Sequence, residues 1–217
     1  MQKIVLQAKG VTKRFGGITA LENAELEVRE GEVHALVGAN GAGKSTLIKI
    51  ITGAYTNDEG HIYLDGKEVS IKSTFDARAL GISAVYQEFS LINTVSVAEN
   101  IYMGKLLYNN LGPVPRVDWK KMNEETQKLL DSLGVKNIKP ETIVGRLSVA
   151  QKQMVEIAKA IGSNAWIVVM DEPTSAITEA DKEKLFQVIR ELKANGIAVV
   201  YISHRMSEIF EIADEIT

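Results

Sequence analysis

The stretch Gly38–Thr46, GANGAGKST, decides the fold of this chain. It places three glycines directly before a lysine and two hydroxyl residues. The residues in front, EVHALV, alternate in character and are rich in valine, which predicts a strand. The residues behind, TLIKIITG, carry apolar side chains at helical spacing and stop at Gly53, which predicts a helix. The glycines therefore lie on a turn from a strand into a helix.

This turn has the chemistry of a phosphate-binding loop. A glycine-rich turn before a helix directs several backbone N–H groups at one point, where the helix dipole favours an anion. Lys44 can reach the β- and γ-phosphates, and the Ser45 hydroxyl can bind Mg²⁺. A chance match to this spacing in a chain of this length occurs about once in a hundred cases. The predicted nucleotide-binding residues here are Gly38, Ala39, Asn40, Gly41, Ala42, Gly43, Lys44, Ser45 and Thr46.

The composition is that of an ordinary globular protein and excludes several other classes. The chain has 217 residues, 45% hydrophobic and 24% charged, with a net charge of −3. This charge gives no indication of a nucleic-acid partner held by bulk electrostatics. Because there is no cysteine, disulfides and cysteine metal sites are excluded. The longest apolar runs, AWIVVM and IAVVYI, are too short to span a bilayer.

The order of the predicted elements indicates an α/β fold. Continuous β-branched runs, VHALV, WIVVM and AVVYIS, are typical of parallel strands covered on both faces, and each precedes a helical pattern. Antiparallel strands are predicted in residues 1–30 and 58–72, with a hairpin turn at Asp65-Gly66. A helical subdomain is predicted at about 88–163. We expect one domain over residues 1–217, and we expect this domain to be part of a longer chain.

A second group of polar residues completes a phosphate site. In WIVVMDEP, Asp171 and Glu172 follow a predicted strand. Asp171 is the predicted carboxylate ligand of Mg²⁺, and Glu172 is the predicted base that activates water for attack on the γ-phosphate. His34 and His61 lie in strand and hairpin patterns, and no function is predicted for them.

Five motifs occur together in the order found in one protein family. They are LVGANGAGKSTLIKIITG, VYQEFSL, LSVAQKQMVEIAKAI, VMDEPTSAIT and VYISH. The chain thereby resembles, over essentially its whole length, the nucleotide-binding domain of ATP-binding-cassette (ABC) transporters. It looks closest to the first of two fused cassettes in the ATPase subunit of bacterial monosaccharide importers of the ribose, galactose and xylose type. The segments LSVAQKQMVEIAKA and YISHRMSEIF carry that closer assignment.

The resemblance implies roles for three further residues. Phe15 falls where the family has an aromatic side chain that stacks on adenine. Such stacking is open to any base, because every base has a π-face. Gln87 matches the glutamine that senses Mg²⁺ and the γ-phosphate. His204 matches the switch histidine that contacts the γ-phosphate, and it joins Lys44 and Glu172 as a predicted catalytic residue. The predicted metal ligands are Ser45, Gln87 and Asp171.

The segment LSVAQ departs from the family's usual LSGGQ, which binds the γ-phosphate of ATP held by the opposite cassette. Its predicted phosphate-binding residues are Ser148, Val149, Ala150 and Gln151. Ser148-x-x-Gln151 is also a capping box, and a capped helix N-terminus can still bind an anion. Because side chains on Val149 and Ala150 limit backbone approach to a phosphate, we expect a weaker composite site. Thr178 also replaces the family's common D-loop aspartate, and both departures fit importers with unequal cassettes.

The leading hypothesis is an ATP-hydrolysing motor of a sugar importer, with ATP and Mg²⁺ as cofactors. Its expected partners are a second cassette, transmembrane permease subunits and, indirectly, a periplasmic or extracellular sugar-binding protein; its expected location is the cytoplasmic face of the membrane. The alternatives are a soluble ABC-type ATPase with a non-transport partner, a P-loop kinase or GTPase, and a regulatory ATP-binding module. The net charge argues against a nucleic-acid partner, the missing NKxD motif against a GTPase, and the retained Lys44, Glu172 and His204 against a regulatory module.

Overall fold

The computed structural model describes residues 3–39, 41–109 and 114–217. Asn40, one of the predicted nucleotide-binding residues, lies outside the described residues. Eleven strands and seven α-helices are assigned among the described residues. They form an antiparallel sheet, a parallel sheet and a group of helices, as the α/β prediction requires.

The antiparallel sheet has four strands in the order β2-β1-β4-β5. Its strands are β1 (Ile4–Phe15), β2 (Ile18–Arg29), β4 (Glu59–Leu64) and β5 (Lys67–Val69). The predicted hairpin turn at Asp65-Gly66 is confirmed, since both residues have positive φ and join β4 to β5. This two-residue turn suits the right-handed twist of the flanking strands.

The parallel sheet has five strands in the order β11-β3-β10-β9-β6. Its strands are β3 (Val33–Leu36), β6 (Ile82–Val85), β9 (Ile167–Asp171), β10 (Ala198–Ile202) and β11 (Glu215–Ile216). Every residue of β3 and β10 is buried, which confirms the prediction that their β-branched runs are covered on both faces.

The helices lie between these strands in the chain. They are α1 (Lys44–Ile51), α2 (Thr74–Ala79), α3 (Val97–Ile101), α4 (Trp119–Ser132), α5 (Val149–Ile161), α6 (Glu179–Ala194) and α7 (Met206–Ile212). The amphipathic patterns predicted for α4 and α5 are confirmed. Thr178 caps α6 by accepting a hydrogen bond from the backbone N–H of Asp181, also as predicted. Between α3 and α4, β7 (Tyr108–Asn109) pairs with β8 (Arg116–Val117). No helix in the described ranges has the length and apolar character needed to cross a membrane.

The parallel sheet separates two hydrophobic cores. Along β9, Ile167 and Val169 pack towards the antiparallel sheet, whereas Val168 and Met170 pack towards the helical side. The same alternation divides the side chains of β10. Because successive strand side chains point to opposite faces, one apolar run serves both cores. The strands are therefore held from both sides, and the loops at their ends are fixed in place.

The end of α1 gives a test of this packing. Gly53 has φ of 75°, and a Cβ placed there would lie 2.1 Å from the carbonyl oxygen of Ser73. Gly66 has a similar φ of 73° but has open space around it. We expect Gly66→Ala to lower the free energy of unfolding by about 1 kcal/mol through backbone strain alone. Gly53→Ala should cost about 3 kcal/mol or more, because the backbone of Ser73 must also move. Equal midpoints for the two variants in urea unfolding would contradict this packing.

Candidate functional site

The turn between β3 and α1 leaves a helix N-terminus open. Gly43 is the N-cap residue of α1 and, as a glycine, has no side chain to accept from the first N–H groups of the helix. Its φ is 86°, and a Cβ would lie 2.7 Å from Cδ1 of Leu21 and 3.0 Å from the carbonyl oxygen of Ala20. Only glycine fits this position. The open N–H groups and the helix dipole are suited to an anion such as phosphate.

Lys44 folds back over this turn. Its ammonium donates to the carbonyl oxygens of Gly38 at 2.6 Å and Ala39 at 2.9 Å. A lysine ammonium has three donors, so these two bonds hold the charge above the loop and leave one donor. The first turn of α1 contains no acidic residue. The turn therefore carries positive potential from a side chain and from a helix end.

The other predicted residues reach the same edge of the parallel sheet. Asp171 ends β9 and is followed by Glu172, His204 follows β10, and Gln87 follows β6. Because β3, β10, β9 and β6 are parallel neighbours, the loops that follow them lie side by side. The phosphate-binding turn, the acidic pair, the histidine and the glutamine thus share one edge of the sheet.

Glu172 and His204 are in direct contact. Nδ1 of His204 lies 3.1 Å from Oε1 of Glu172. Glu172 has φ of 48°, a left-handed conformation that strains a residue with a side chain. Its backbone N–H donates to the carbonyl oxygen of Ile202 at 3.0 Å, which ties the end of β9 to the end of β10. The strained backbone is therefore held in place by the neighbouring strand, with the carboxylate directed at the histidine.

The surroundings of the Asp171 carboxyl disfavour its charged form. Burial raises the pKa of the Asp171 carboxyl, and the negative charge of Glu172 raises it further. The positive charges of Lys49 and Lys44 lower the pKa and act in the opposite direction. A partly buried carboxylate beside a second acid is destabilised in its charged form, and a bound cation would relieve this.

The donor atoms at this edge fit Mg²⁺. The Ser45 hydroxyl, the Gln87 side-chain oxygen and the Asp171 carboxylate are all oxygen ligands, which Mg²⁺ prefers. Mg²⁺ commonly keeps several waters, so one carboxylate and a hydroxyl suffice on the protein side. No cluster of three or more histidine or acidic residues suited to a metal ion occurs within the described ranges.

Phe15 lies at the end of β1 with 41% of its surface exposed, and it has an aromatic neighbour that was not predicted. The ring of Tyr55 meets it edge to face, with centroids 5.1 Å apart. The ammonium of Lys13 lies 5.5 Å from the Phe15 centroid. Tyr55 follows α1 in the sequence, and a lone tyrosine in a loop gives no signal of this pairing.

The LSVAQ segment does not follow a strand of the sheet. Ser148 caps α5: its hydroxyl accepts from the N–H of Gln151 at 3.2 Å, while the Gln151 side chain accepts from the N–H of Ser148 at 3.0 Å. This confirms the predicted capping box. Val149 is 43% exposed, and Ala150 is half-buried. The segment therefore presents a capped helix N-terminus, with a branched side chain, at the surface.

Glu208 is a residue of the site that sequence reasoning missed. It is 1% exposed, and its Oε2 accepts hydrogen bonds from the hydroxyls of Thr174, Tyr201 and Ser203 at distances of 2.7, 3.1 and 3.0 Å. Its Oε1 accepts from Arg205 at 3.2 Å. Burial by itself raises the pKa of Glu208, but these hydrogen bonds outweigh it and hold the pKa below its ordinary value.

The Glu208 carboxylate joins the two segments that carry the acid and the histidine. Thr174 lies two residues after Glu172, and Ser203 directly precedes His204. One buried charge thus fixes both loops. The only sequence signal is a glutamate four residues after the histidine on a helix, which more often lies on a solvent-exposed face.

We expect Glu208→Ala to lower the free energy of unfolding by about 3 kcal/mol, because it leaves a guanidinium and three hydroxyls without their acceptor. Glu211→Ala on the same helix should cost about 0–1 kcal/mol, since its ion pairs are long and partly exposed. Because the folded pKa of Glu208 lies below the ordinary 4.5, its stabilisation is present at neutral pH and is lost as the pH falls through the folded pKa. Urea unfolding at pH 7 and pH 4 checks both statements; similar costs for the two variants at pH 7 would contradict this role.

Comparisons with known proteins agree with this geometry. The "ABC transporter" family model matches residues 21–175. The chain is 48% identical over 215 residues to a putative ribose/galactose/methyl galactoside import ATP-binding protein of Burkholderia ambifaria, covering 99% of this chain and 41% of that protein. It is 47% identical over 211 residues to the ribose import ATP-binding protein RbsA of Caldanaerobacter subterraneus, covering 97% and 42%. The chain thus spans about two fifths of the length of these relatives.

Solved structures show the same architecture. A nucleotide-free ATP-binding cassette from an ABC transporter superposes with a TM-score of 0.85 at 29% identity, covering 98% of this chain and 86% of that one. The ADP conformation of MJ1267, an ATP-binding cassette of an ABC transporter, gives a TM-score of 0.84, also at 29% identity and with the same coverage. With its sheet edge, phosphate-binding turn and acid–histidine pair, and with a family match over most of its length, the chain belongs to the ABC transporter family of ATP-binding cassettes.

Proposed function

We propose that this chain is the ATP-binding and ATP-hydrolysing motor domain of a bacterial sugar importer. The observation that carries the proposal is the contact of Glu172 with His204 at the sheet edge that also bears the phosphate-binding turn. The import ATP-binding proteins to which the chain is similar support the transport function. The proposed location is the cytoplasmic face of the membrane, bound to permease subunits.

The residues have distinct roles in the proposed reaction. Lys44 and the N-terminal N–H groups of α1 bind the β- and γ-phosphates, and the Phe15 ring accepts the adenine. Glu172 accepts the proton of the attacking water, and His204, held by Glu172, donates a hydrogen bond to the γ-phosphate. Ser45, Gln87 and Asp171 would hold Mg²⁺, which would supply neutralisation of charge on the phosphate oxygens.

A cleft of about 480 Å³ supports the proposed permease partner. It lies between the parallel sheet and the helical part. Among the described residues that line it, three are cations, Arg78, Lys105 and Lys159, and one is a carboxylate, Glu156. Phe75 at its rim is 77% exposed. A segment with apolar and acidic side chains would complement this cleft. A cytosolic ATPase with a non-transport partner and a regulatory module remain the alternatives.

Substitutions at the sheet edge test hydrolysis directly. In the complete protein that carries this chain, Glu172→Gln should leave ATP affinity unchanged within about twofold. It should lower turnover by about 10²–10⁴-fold, the loss expected when a general base is removed. Lys44→Ala should weaken binding of a fluorescent ATP analogue at least about tenfold, the loss of one charged contact. The matched control is Glu183→Gln on the exposed face of α6, which should change neither quantity. Near-normal turnover of folded Glu172→Gln would overturn the assignment.

A separate measurement distinguishes an importer from the alternatives: ATP hydrolysis that depends on sugar, measured with the permease in vesicles.

The LSVAQ segment predicts slow hydrolysis by this chain alone. Two copies can pair each phosphate-binding turn only with a segment whose Val149 and Ala150 restrict backbone approach. We expect ATP binding without stable dimerisation and a specific ATPase rate that rises with protein concentration. Val149→Gly with Ala150→Gly should raise the rate, despite a helix-propensity cost of about 1 kcal/mol per glycine. A brisk rate that is independent of concentration and unaffected by the two glycines would contradict the weak composite site.

A further inference from the structure

Glu156 is a buried carboxylate that the proposed reaction does not use. It lies in the middle of α5, is 5% exposed, and directs both oxygens at Ser90, a residue 66 positions earlier in the chain. Oε1 accepts from the backbone N–H of Ser90, and Oε2 accepts from its hydroxyl at 3.1 Å. One turn later on the same helix, the ammonium of Lys159 donates to the Ser90 hydroxyl at 2.9 Å and to its carbonyl at 3.3 Å.

The position of this carboxylate is unusual for a helix that packs into a core. Glu156 is flanked by Val155 and Ile157, both fully buried. A buried carboxylate is costly unless it is paired and hydrogen-bonded, and here its partners lie on a loop rather than on a neighbouring helix. Two side chains of α5 thus hold the backbone and side chain of one loop residue.

The loop that they hold carries Gln87. Gln87 is exposed and lies between the end of β6 and Ser90. On its other side, the Tyr86 hydroxyl lies 2.9 Å from the Thr52 hydroxyl at the C-terminal end of α1. Residues 87–89 therefore lie between two attachment points, at Tyr86 and at Ser90. One attachment is to the helix that begins at the phosphate-binding turn, and the other is to the helix that begins at Ser148.

We propose that Glu156 is a positioning residue: by tying the Gln87 loop to α5, it sets the position of Gln87 relative to the phosphate-binding turn. The helix rises about 1.5 Å per residue, so Glu156 lies about 12 Å along the axis from Ser148, within one continuous rigid element. The Tyr86 attachment keeps the other end of the loop with α1. Gln87 is therefore positioned from both helices.

The same attachment is open to the cleft described above. Ser90, Glu156 and Lys159 all line it. A permease segment in that cleft would contact the residues that hold the loop. The inference rests on the proposed function for the role of Gln87, whereas the tether itself rests on the hydrogen bonds alone.

The experiment measures amide exchange in the loop and the Mg²⁺ dependence of ATP hydrolysis separately, in the complete protein that carries this chain. Glu156→Ala removes both acceptors, and Glu156→Gln keeps one carbonyl oxygen for the Ser90 N–H. Ile157→Val is the control, since it removes one buried carbon at the next residue of the same helix without touching the tether. Amide exchange of residues 86–91 is followed without nucleotide, and the Mg²⁺ dependence is followed in ATP hydrolysis.

We expect Glu156→Ala to speed exchange of the Ser90 amide at least about tenfold, since its acceptor is lost. The half-saturating Mg²⁺ concentration should rise at least about fivefold, while ATP binding without Mg²⁺ stays within about twofold. Glu156→Gln should recover part of both changes, and Ile157→Val should show neither.

Wild-type exchange of Ser90 in folded Glu156→Ala would overturn the tether. Faster exchange with unchanged Mg²⁺ dependence would overturn the positioning of Gln87, as would the same changes in Ile157→Val. A wild-type protein without ATP hydrolysis would instead overturn the proposed function, and the exchange measurement would still decide the tether.

Discussion

Parallel hydrogen bonding among β3, β10, β9 and β6 is the constraint on which the candidate site depends. Parallel strands bring all their carboxyl ends to one edge, and burial on both faces prevents the strands from shifting. The phosphate-binding turn, the histidine, the acidic pair and the glutamine each follow one of these strands. The pairing of these strands by itself brings segments that are far apart in the chain next to one another.

The neighbouring strands β9 and β10 hold Glu172 and His204 through hydrogen bonds at their ends. Glu172 keeps a left-handed backbone because its N–H is bonded to the neighbouring strand. The buried carboxylate of Glu208 then binds residues on both loops beyond the strands. Since strain persists only where surroundings over-determine a conformation, these bonds explain how Glu172 is held against His204.

The loop after the edge strand β6 is held by contacts with helices. The loop after it is attached through Tyr86 to α1 and through Ser90 to α5, and Gln87 between them is exposed. The acid–histidine pair is thus held by buried bonds within the sheet region, whereas the glutamine depends on two separate helices. The position of the glutamine is thus linked to the helix that begins at the phosphate-binding turn and to the helix that begins after Ser148.

The sequence alone determined the phosphate-binding turn, the acidic pair, the Asp65-Gly66 hairpin, the amphipathic helices and the caps at Ser148 and Thr178. These features depend on preferences that act over a few residues: glycine for positive φ, hydroxyls for helix N-termini, valine for buried strands. The tertiary structure alone decided the strand order and the partners of Tyr55, Glu156 and Glu208. Each of those partners is brought close by folding rather than by a sequence pattern, and a single glutamate in a helix does not reveal whether it faces water or a loop.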